Sequence, residues 1–375
     1  MSDLDLLYTD VEDDLRASVR DLVAARSEPH AVAAAYDGDR SLVDPLWRAI
    51  AGDLGLAGLL VPEERGGAGA SAREVAVVLE ELGRAVAPVP LLTSSVVATT
   101  LLLAAPAGGA ADELLAGLAA GERTAALVLP FSAGPGEEAP GFTADGEGRV
   151  SGSARSVAGA LEADVLLVPV RSADGTAVLA VPAADATVEP VVSLDMTRQL
   201  ADVTLEGVVG QELLGADAGA GAVRQALETG AALLASEQYG VAQWCLTTTI
   251  AYLKDRRQFG RVVGGYQAIK HRLADLYAAV ESAGAAARYA AAATAEGDPE
   301  SAVATAVAQS FCSETAVKAA EEAVQLHGGI GMTWEHPAHL YLKRAKADQI
   351  ALGTPAAHRA RLAELVDLPA PAPVG

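Results

Sequence analysis

The chain has 375 residues, enough for two or three domains around a large buried core. Hydrophobic residues make up 51% but aromatics only 4%, so the apolar content is mostly Ala, Val and Leu, a composition that favours helix. With 49 Asp and Glu against 27 Lys and Arg the formal charge is −22, which argues against nucleic-acid binding and against an anionic membrane surface, but not against a small anion met by a local Arg cluster.

In chain order, Asp10 to Arg26 carries an apolar stripe at Val11, Leu15, Val19, Leu22 and Val23 that predicts a helix. Trp47 to Leu54 continues as a second, closing at Gly55. An apolar run, Gly58-Leu59-Leu60-Val61-Pro62, then ends in a glycine-dense turn through Gly69. Ser71-Ala72-Arg73-Glu74 has the capping-box pattern, with Val75, Val78, Leu79 and Leu82 following at helical spacing. Pro88 and Pro90 break that helix, and another is expected near Val96–Leu103. The stretch Val96 to Ala105 is too short to span a bilayer, and Met-Ser-Asp-Leu-Asp at the start lacks a basic, apolar leader. These features predict a soluble cytoplasmic protein with no membrane segment.

From about Thr124 the texture changes to short β-rich runs at Ala125–Pro130, Asp164–Val170 and Thr176–Val181, with Val203–Val209 as the expected closing strand. They predict a small antiparallel barrel or sandwich, with 133–149 as loop. From about Ala222 helical periodicity returns. Helices are expected at Ala222–Leu253, Gln267 to about Ala295, Ser301–His327, His339–Ile350 and Pro355–Leu365. The Ala-rich 285–295 stretch needs close helix contact to bury much area. Cys245 and Cys312 fall within helical patterns and read as small buried hydrophobes, and no metal spacing exists.

Two motifs stand out. Asp255-Arg256-Arg257-Gln258-Phe259-Gly260, followed by Gly265-Tyr266-Gln267-Ala268-Ile269-Lys270-His271, sets two guanidiniums and an aromatic at a glycine-flanked corner between helices. A planar Arg fork suits phosphate oxygens, although the same residues serve a solvated helix end that complements the helix dipole. Gln325-Leu326-His327-Gly328-Gly329-Ile330-Gly331 is the second, where glycines permit positive φ and close backbone approach. Taken by itself it reads as a helix C-cap.

Together, Arg-x-x-Phe-Gly and Gln-Ala-Ile-Lys-His resemble the cofactor-binding helix junction of the acyl-CoA dehydrogenase flavoproteins. Leu60-Val61-Pro62-Glu63 through Gly69, then Leu79-Glu80-Glu81-Leu82-Gly83-Arg84, resemble that family's N-terminal domain. The resemblance implies a mainly α protein with a central β domain: an N-terminal helical domain (1–123), a small β-barrel or sandwich (124–212) and a C-terminal four-helix bundle (213–375). It implies FAD and an acyl-CoA substrate, with the α-proton removed by a carboxylate and a hydride passing from Cβ to the flavin. Arg256, Gln258, Phe259, Tyr266, Gln267, Gln325, Leu326, His327, Gly328 and Gly329 would meet the ADP half of a flavin bound mainly by a neighbouring subunit, and Thr354 joins the cofactor set. The assembly is then a homo-oligomer (dimer or tetramer) or a heterotetramer with a base-carrying homologue. His327 and His336 have simpler roles as turn and helix-start residues.

The departures are equally specific. Where many family members carry Tyr-Glu-Gly-Thr, this chain has Ala351-Leu352-Gly353-Thr354, so Leu352 stands at the base position. Its backbone N–H remains as an expected oxyanion-type donor. The alternative base position on the preceding long helix falls at Gly230. Glu237, seven residues on and about 10 Å along the axis, is a weak candidate base whose simpler role is to partner an Arg. The segments that would face the flavin ring read Leu129-Pro130-Phe131-Ser132 and Arg155-Ser156-Val157, without the family's side chains. The expected function is an acyl-CoA dehydrogenase that is base-deficient or atypical; the alternative is a catalytically silent partner subunit of the same fold.

Overall fold

The computed structural model describes residues 4–137, 141–145 and 147–369. Met1 to Asp3 of the acidic N-terminus and part of the expected 133–149 loop lie outside them. The N-terminal region holds α1 (Asp10–Arg26), α2 (Pro29–Ala33), α3 (Val43–Arg48), α4 (Ala72–Ala85), α5 (Thr99–Leu103) and α6 (Ala110–Ala119). Capping boxes start two of them. Thr9 N–H donates to Glu12 Oε2 at 2.8 Å while Thr9 Oγ1 accepts from Glu12 N–H, and Ser71 and Glu74 do the same for α4. Two expected helices differ in winding. The one expected at Trp47 starts at Val43 and widens into a π turn over Ala49–Asp53, and the one expected at Val96 is π-helical over Leu91–Ala98 before α5.

The central sheet contains β1 (Ala125–Leu127), β2 (Phe142–Ala144), β3 (Arg149–Ala158), β4 (Val165–Ser172), β5 (Gly175–Pro182), β6 (Thr187–Val191), β7 (Leu200–Val209) and β8 (Gln211–Leu214). Its order is β6-β7-β3-β2-β4-β5-β8, with β1 also paired to β4. The sheet is therefore mixed, since β1 and β2 both run parallel to β4. The run at Val203–Val209 is not a closing strand: β7 lies inside the order, between β3 and β6. Strand β3 escaped recognition because bulges between Val150 and Gly152 and between Ala154 and Val157 break its alternation. β4 and β5 are buried on both faces. Leu167 and Val178 join the N-terminal helical core, while Leu166, Val168 and Val181 join the sheet's own core with Phe142 and Val203.

The C-terminal bundle comprises α7 (Gly219–Asp255), α8 (Gln267–Ala295), α9 (Ser301–His327), α10 (Ala338–Ile350) and α11 (Pro355–Leu365). Small side chains bring its axes together: Ala232, Ala235, Ala287, Ala290, Ala304 and Ala308 form one buried seam. α7 meets α4 backbone to backbone, since a Cβ at Gly240 would lie 2.0 Å from Glu80 O and one at Gly83 would lie 2.2 Å from Glu237 O. That crossing fixes the depth at which Glu237 sits. Cys245 and Cys312 are buried free thiols, and burial pushes the Cys312 thiol up to about 12. Among the described residues no helix is long and apolar enough to cross a membrane.

Candidate functional site

Between α7 and α8 the chain forms a two-residue hairpin that pairs Gln258 with Arg261 and Arg257 with Val262. Its central residues, Phe259 and Gly260, both have positive φ (52° and 75°), as the tight primed hairpin turn requires. Gly260 adopts that region freely, but a bulky Phe does so at a cost. Phe259 is also 94% exposed, so the hairpin holds a strained aromatic out from the surface. Arg256 and Arg257 are exposed beside it, with no side-chain partner among the described residues. Tyr266 braces the corner, its hydroxyl donating to Gln258 O at 3.3 Å and its ring lying 4.3 Å beneath the Arg261 guanidinium.

The Gln325–Gly329 turn reaches the same end of the bundle. Arg256 N–H donates to Tyr252 O at 2.9 Å, and the Tyr252 ring stacks on His327 at 4.5 Å. His327 is buried, with Nδ1 2.7 Å from Ala323 O, and its ring lies 4.2 Å from that of His336. Burial lowers both imidazole pKa values, His336 to about 4 with further lowering by His327 and His339. Gln325, Gly328 and Gly329 are exposed above this stack, and Gly328 is left-handed (φ 66°). Two unspent guanidiniums, an aromatic and an open glycine turn thus share one surface, and this donor set fits the phosphates and adenine of a dinucleotide.

Thr354 is not in that group. It caps α11, its Oγ1 accepting from Ala357 N–H at 3.2 Å, beyond the far end of α10, which is about 20 Å long. Leu352 lies beside it with φ 52° and 4% exposure. Its N–H donates to Phe131 O at 2.8 Å and its carbonyl bonds His358 Nε2 at 2.9 Å, so the N–H expected to serve an oxyanion is already spent. The Leu352 side chain points at Gly230, the alternative base position that the resemblance implies, because a Cβ on Gly230 would lie 3.1 Å from Leu352 Cδ1 and 2.8 Å from Val97 Cγ2. The pocket here measures only ≈30 Å³ and is walled by Leu127, Leu129, Phe131, Leu227 and Leu352. Leu227 also lines an outer groove of ≈580 Å³ that carries Arg171, Arg224 and Arg361. Those three come from strand, helix and C-terminal segments with no common motif, so sequence reading had no signal for them.

Glu237 takes the simpler role expected for it, as the partner of an Arg. Its Oε1 is held by Arg198 Nη2 and, at 2.6 Å, by Arg344 Nη1. These guanidiniums outweigh the effect of burial and keep its pKa low. Arg344, 2% exposed, also donates to Asp195 Oδ2 at 2.6 Å and Thr197 Oγ1 at 2.7 Å. Asp348 lies behind this network, and burial, with the Glu237 charge, raises it to about 8. The buried positions Tyr341, Arg344, Ala345 and Asp348 fall at i, i+3, i+4 and i+7 on one face of α10. That stripe was the available signal, masked by Lys343 and Lys346 on either side of Arg344.

The segments expected against a flavin ring do meet: Phe131 N–H donates to Ser156 O at 3.0 Å beside a cavity of ≈250 Å³. They offer Phe131, Ser132 and Ser156, a poor match to the family's side-chain contacts, and the ring-side residues do not fit as the dinucleotide corner does.

The family model for the acyl-CoA dehydrogenase N-terminal domain matches residues 9–122, and that for the C-terminal domain matches residues 217–366. The chain is 37% identical over 348 residues to acyl-CoA dehydrogenase IpdE2 of Mycolicibacterium smegmatis, covering 93% of this chain and 96% of that protein. Among solved structures it is similar to the ChsE4-ChsE5 complex from Mycobacterium tuberculosis (TM-score 0.85, 29% identity, 98% of this chain and 100% of that one). It is also similar to a Tcur3481-Tcur3483 steroid ACAD (TM-score 0.82, 31% identity, 96% and 98%). The chain belongs to the acyl-CoA dehydrogenase family, whose members are FAD-using oxidoreductases acting on CH–CH bonds.

Proposed function

We propose that this chain is the base-lacking subunit of a heteromeric acyl-CoA dehydrogenase, and that it contributes the ADP end of a flavin site whose ring and catalytic carboxylate lie on a homologous partner. One observation carries the reading. Leu352 and Gly230 stand where the family keeps its base, a Cβ on Gly230 would lie 3.1 Å from Leu352 Cδ1, and the ≈30 Å³ apolar pocket that Leu352 lines has no carboxylate on its walls. An α-proton has no acceptor there. The outer groove suits the phosphates of a CoA thioester, but the space behind Leu227 does not admit an acyl chain.

In this reading Arg256 and Arg257 hold pyrophosphate oxygens of the partner's cofactor, with Gln258, Phe259, Tyr266 and Gln267 around the adenosine and Gln325 to Gly329 closing the site. FAD, once bound, supplies the hydride acceptor. Heteromeric relatives such as the ChsE4-ChsE5 complex support a second, different chain as the partner, and the steroid relative supports a bulky acyl group.

Co-expression with a base-carrying homologue, followed by absorption spectroscopy of the purified complex, tests the proposal. The expected product is yellow, holds one flavin per pair of unlike chains and bleaches with an acyl-CoA. The chain purified by itself stays colourless. A yellow homo-oligomer that bleaches without any partner would refute it. A heteromer that binds no flavin and never bleaches would instead favour the catalytically silent alternative.

A further inference from the structure

One hydrogen bond fixes where the imidazole stack beneath the Gln325–Gly329 turn can take up a proton. The Nδ1 of His336 accepts from Ala338 N–H, the first amide of α10, at 3.2 Å. An accepting ring nitrogen carries no hydrogen, so the hydrogen of this neutral imidazole sits on Nε2. A second proton must enter at Nδ1, the atom that holds the start of the helix. Once Nδ1 carries it, donor faces donor and the helix loses that contact.

The groups packed around the ring are imidazoles and other aromatics. His327, at the end of α9, already donates its Nδ1–H to Ala323 O, and its Nε2 is buried with no partner among the described residues. From α7, Tyr252 stacks on His327, while Trp244 lies 6.4 Å from the His336 ring and stacks on Tyr341 of α10 at 3.5 Å. His339 of α10 meets Trp334 at 4.5 Å and Tyr36 of the N-terminal region at 6.3 Å, and the next cation, Lys343, lies 3.8 Å from the Tyr36 ring. Asp195 accepts from the Tyr36 hydroxyl at 3.4 Å but is held by Arg344, and Glu335 is exposed. Burial first, then His327 and His339, hold the His336 pKa down at about 4.

We propose that His336 is a proton-operated latch: on taking a proton at Nδ1 it lets go of α10, turns out to water and frees the Gly328–Met332 turn from the bundle. The released ring titrates as an ordinary histidine, near 6.5. The closed form binds fewer protons, so it is favoured above pH 6.5 and loses about tenfold per pH unit below that, down to about pH 4. Between pH 7.5 and 5.0 the opening equilibrium should therefore grow about thirtyfold. A consequence follows that rests on the reading above: because Gln325 to Gly329 close the donated cofactor corner, acid lets that corner go.

Amide hydrogen exchange of the purified full chain at pH 7.5 and 5.0, corrected for intrinsic exchange, reads the latch at Thr333 and Ala338, whose N–H groups bond Ile330 O and His336. Two variants separate titration from packing. His336→Asn keeps an acceptor for the amide two residues on, as an Asx turn does, but cannot titrate, so exchange there should stay slow at both pH values. His336→Phe keeps a ring without the acceptor, so the segment should exchange fast at both. The thirtyfold rise is expected in wild type alone. A wild-type rise below about threefold, or one that persists in His336→Asn, overturns the proposal. Flavin release from the assembled heteromer at pH 5.0, slowed by His336→Asn, tests the consequence. If the segment opens while the heteromer keeps its flavin, the placing of this turn on the cofactor fails and the latch stands. A segment that stays closed in a heteromer holding its flavin overturns the latch and leaves the proposed function intact.

Discussion

Placing a carboxylate at residue 352, where the resemblance puts the family's base, by Leu352→Glu, measures how apolar that position is. The introduced group would enter a ≈30 Å³ pocket whose polar side chain, Thr93, already donates to Pro90 O at 3.2 Å, and the N–H of residue 352 itself is bound to Phe131 O. With no donor or cation to meet it, the carboxyl keeps its proton and its pKa rises by several units. An unfolded Glu titrates near 4.3. Holding it neutral in the fold therefore costs about 1 kcal/mol at pH 5 and about 4 kcal/mol at pH 7, at roughly 1.4 kcal/mol per unit. The sign follows from proton counting: above pH 4.3 the native state binds the extra proton, so stability falls as pH rises until the raised pKa is passed. Urea denaturation at pH 5.0 and 7.5, with Leu352→Gln as a non-titrating control, isolates this slope. A variant that gains flavin bleaching, or whose stability follows wild type across that window, refutes the reasoning, because the carboxylate would then be solvated or paired.

Other outcomes follow from the same geometry. Arg344→Leu leaves Asp195 and Glu237 short of a buried partner and should cost about 3–5 kcal/mol in urea unfolding. Glu237→Gln should lower the unfolding midpoint while leaving turnover of the assembled enzyme unchanged; a fall of about a hundredfold or more would mark it as the base after all. Phe259→Gly should stabilise the isolated chain by about 1 kcal/mol through relief of its left-handed backbone, yet reduce flavin retention in the complex. Below pH 6.5 the unfolded chain protonates its histidines first, whereas His336 in the fold resists until about pH 4, so stability should decline across that window and His336→Gln should flatten the decline.

Much of the architecture was legible because it rests on signals local in sequence. The capping box at Ser71, the long apolar period of α7 to α9 and the glycine corners all declare themselves within a few residues. What stayed hidden depends on pairs far apart in the chain. Arg344 and Asp348 lie in a charged-looking run and only tertiary packing buries them, against Asp195 and Glu237. β3 hid its alternation behind two bulges. The N–H of Leu352 looked available because nothing in its own segment predicts a bond to Phe131, more than two hundred residues earlier. That Leu352 and Val97 would close over Gly230 could not be read from sequence either.

Backbone strain separates the two ends of the molecule. Leu352 and Phe259 share the same left-handed φ of 52°, a conformation with a cost for either residue. At Leu352 the return is internal, since the turn aims the side chain into the pocket between Val97 and Gly230 and two hydrogen bonds hold it there. At Phe259 nothing inside the chain compensates: the ring is exposed, and the adjacent guanidiniums of Arg256 and Arg257 touch no acid among the described residues. A chain selected only for its own stability would relax that hairpin with a glycine or asparagine. On the proposed function the offsetting contacts lie on another molecule: the corner would be a half-site donated to the partner, and the sealed pocket the place where this chain leaves the chemistry to it.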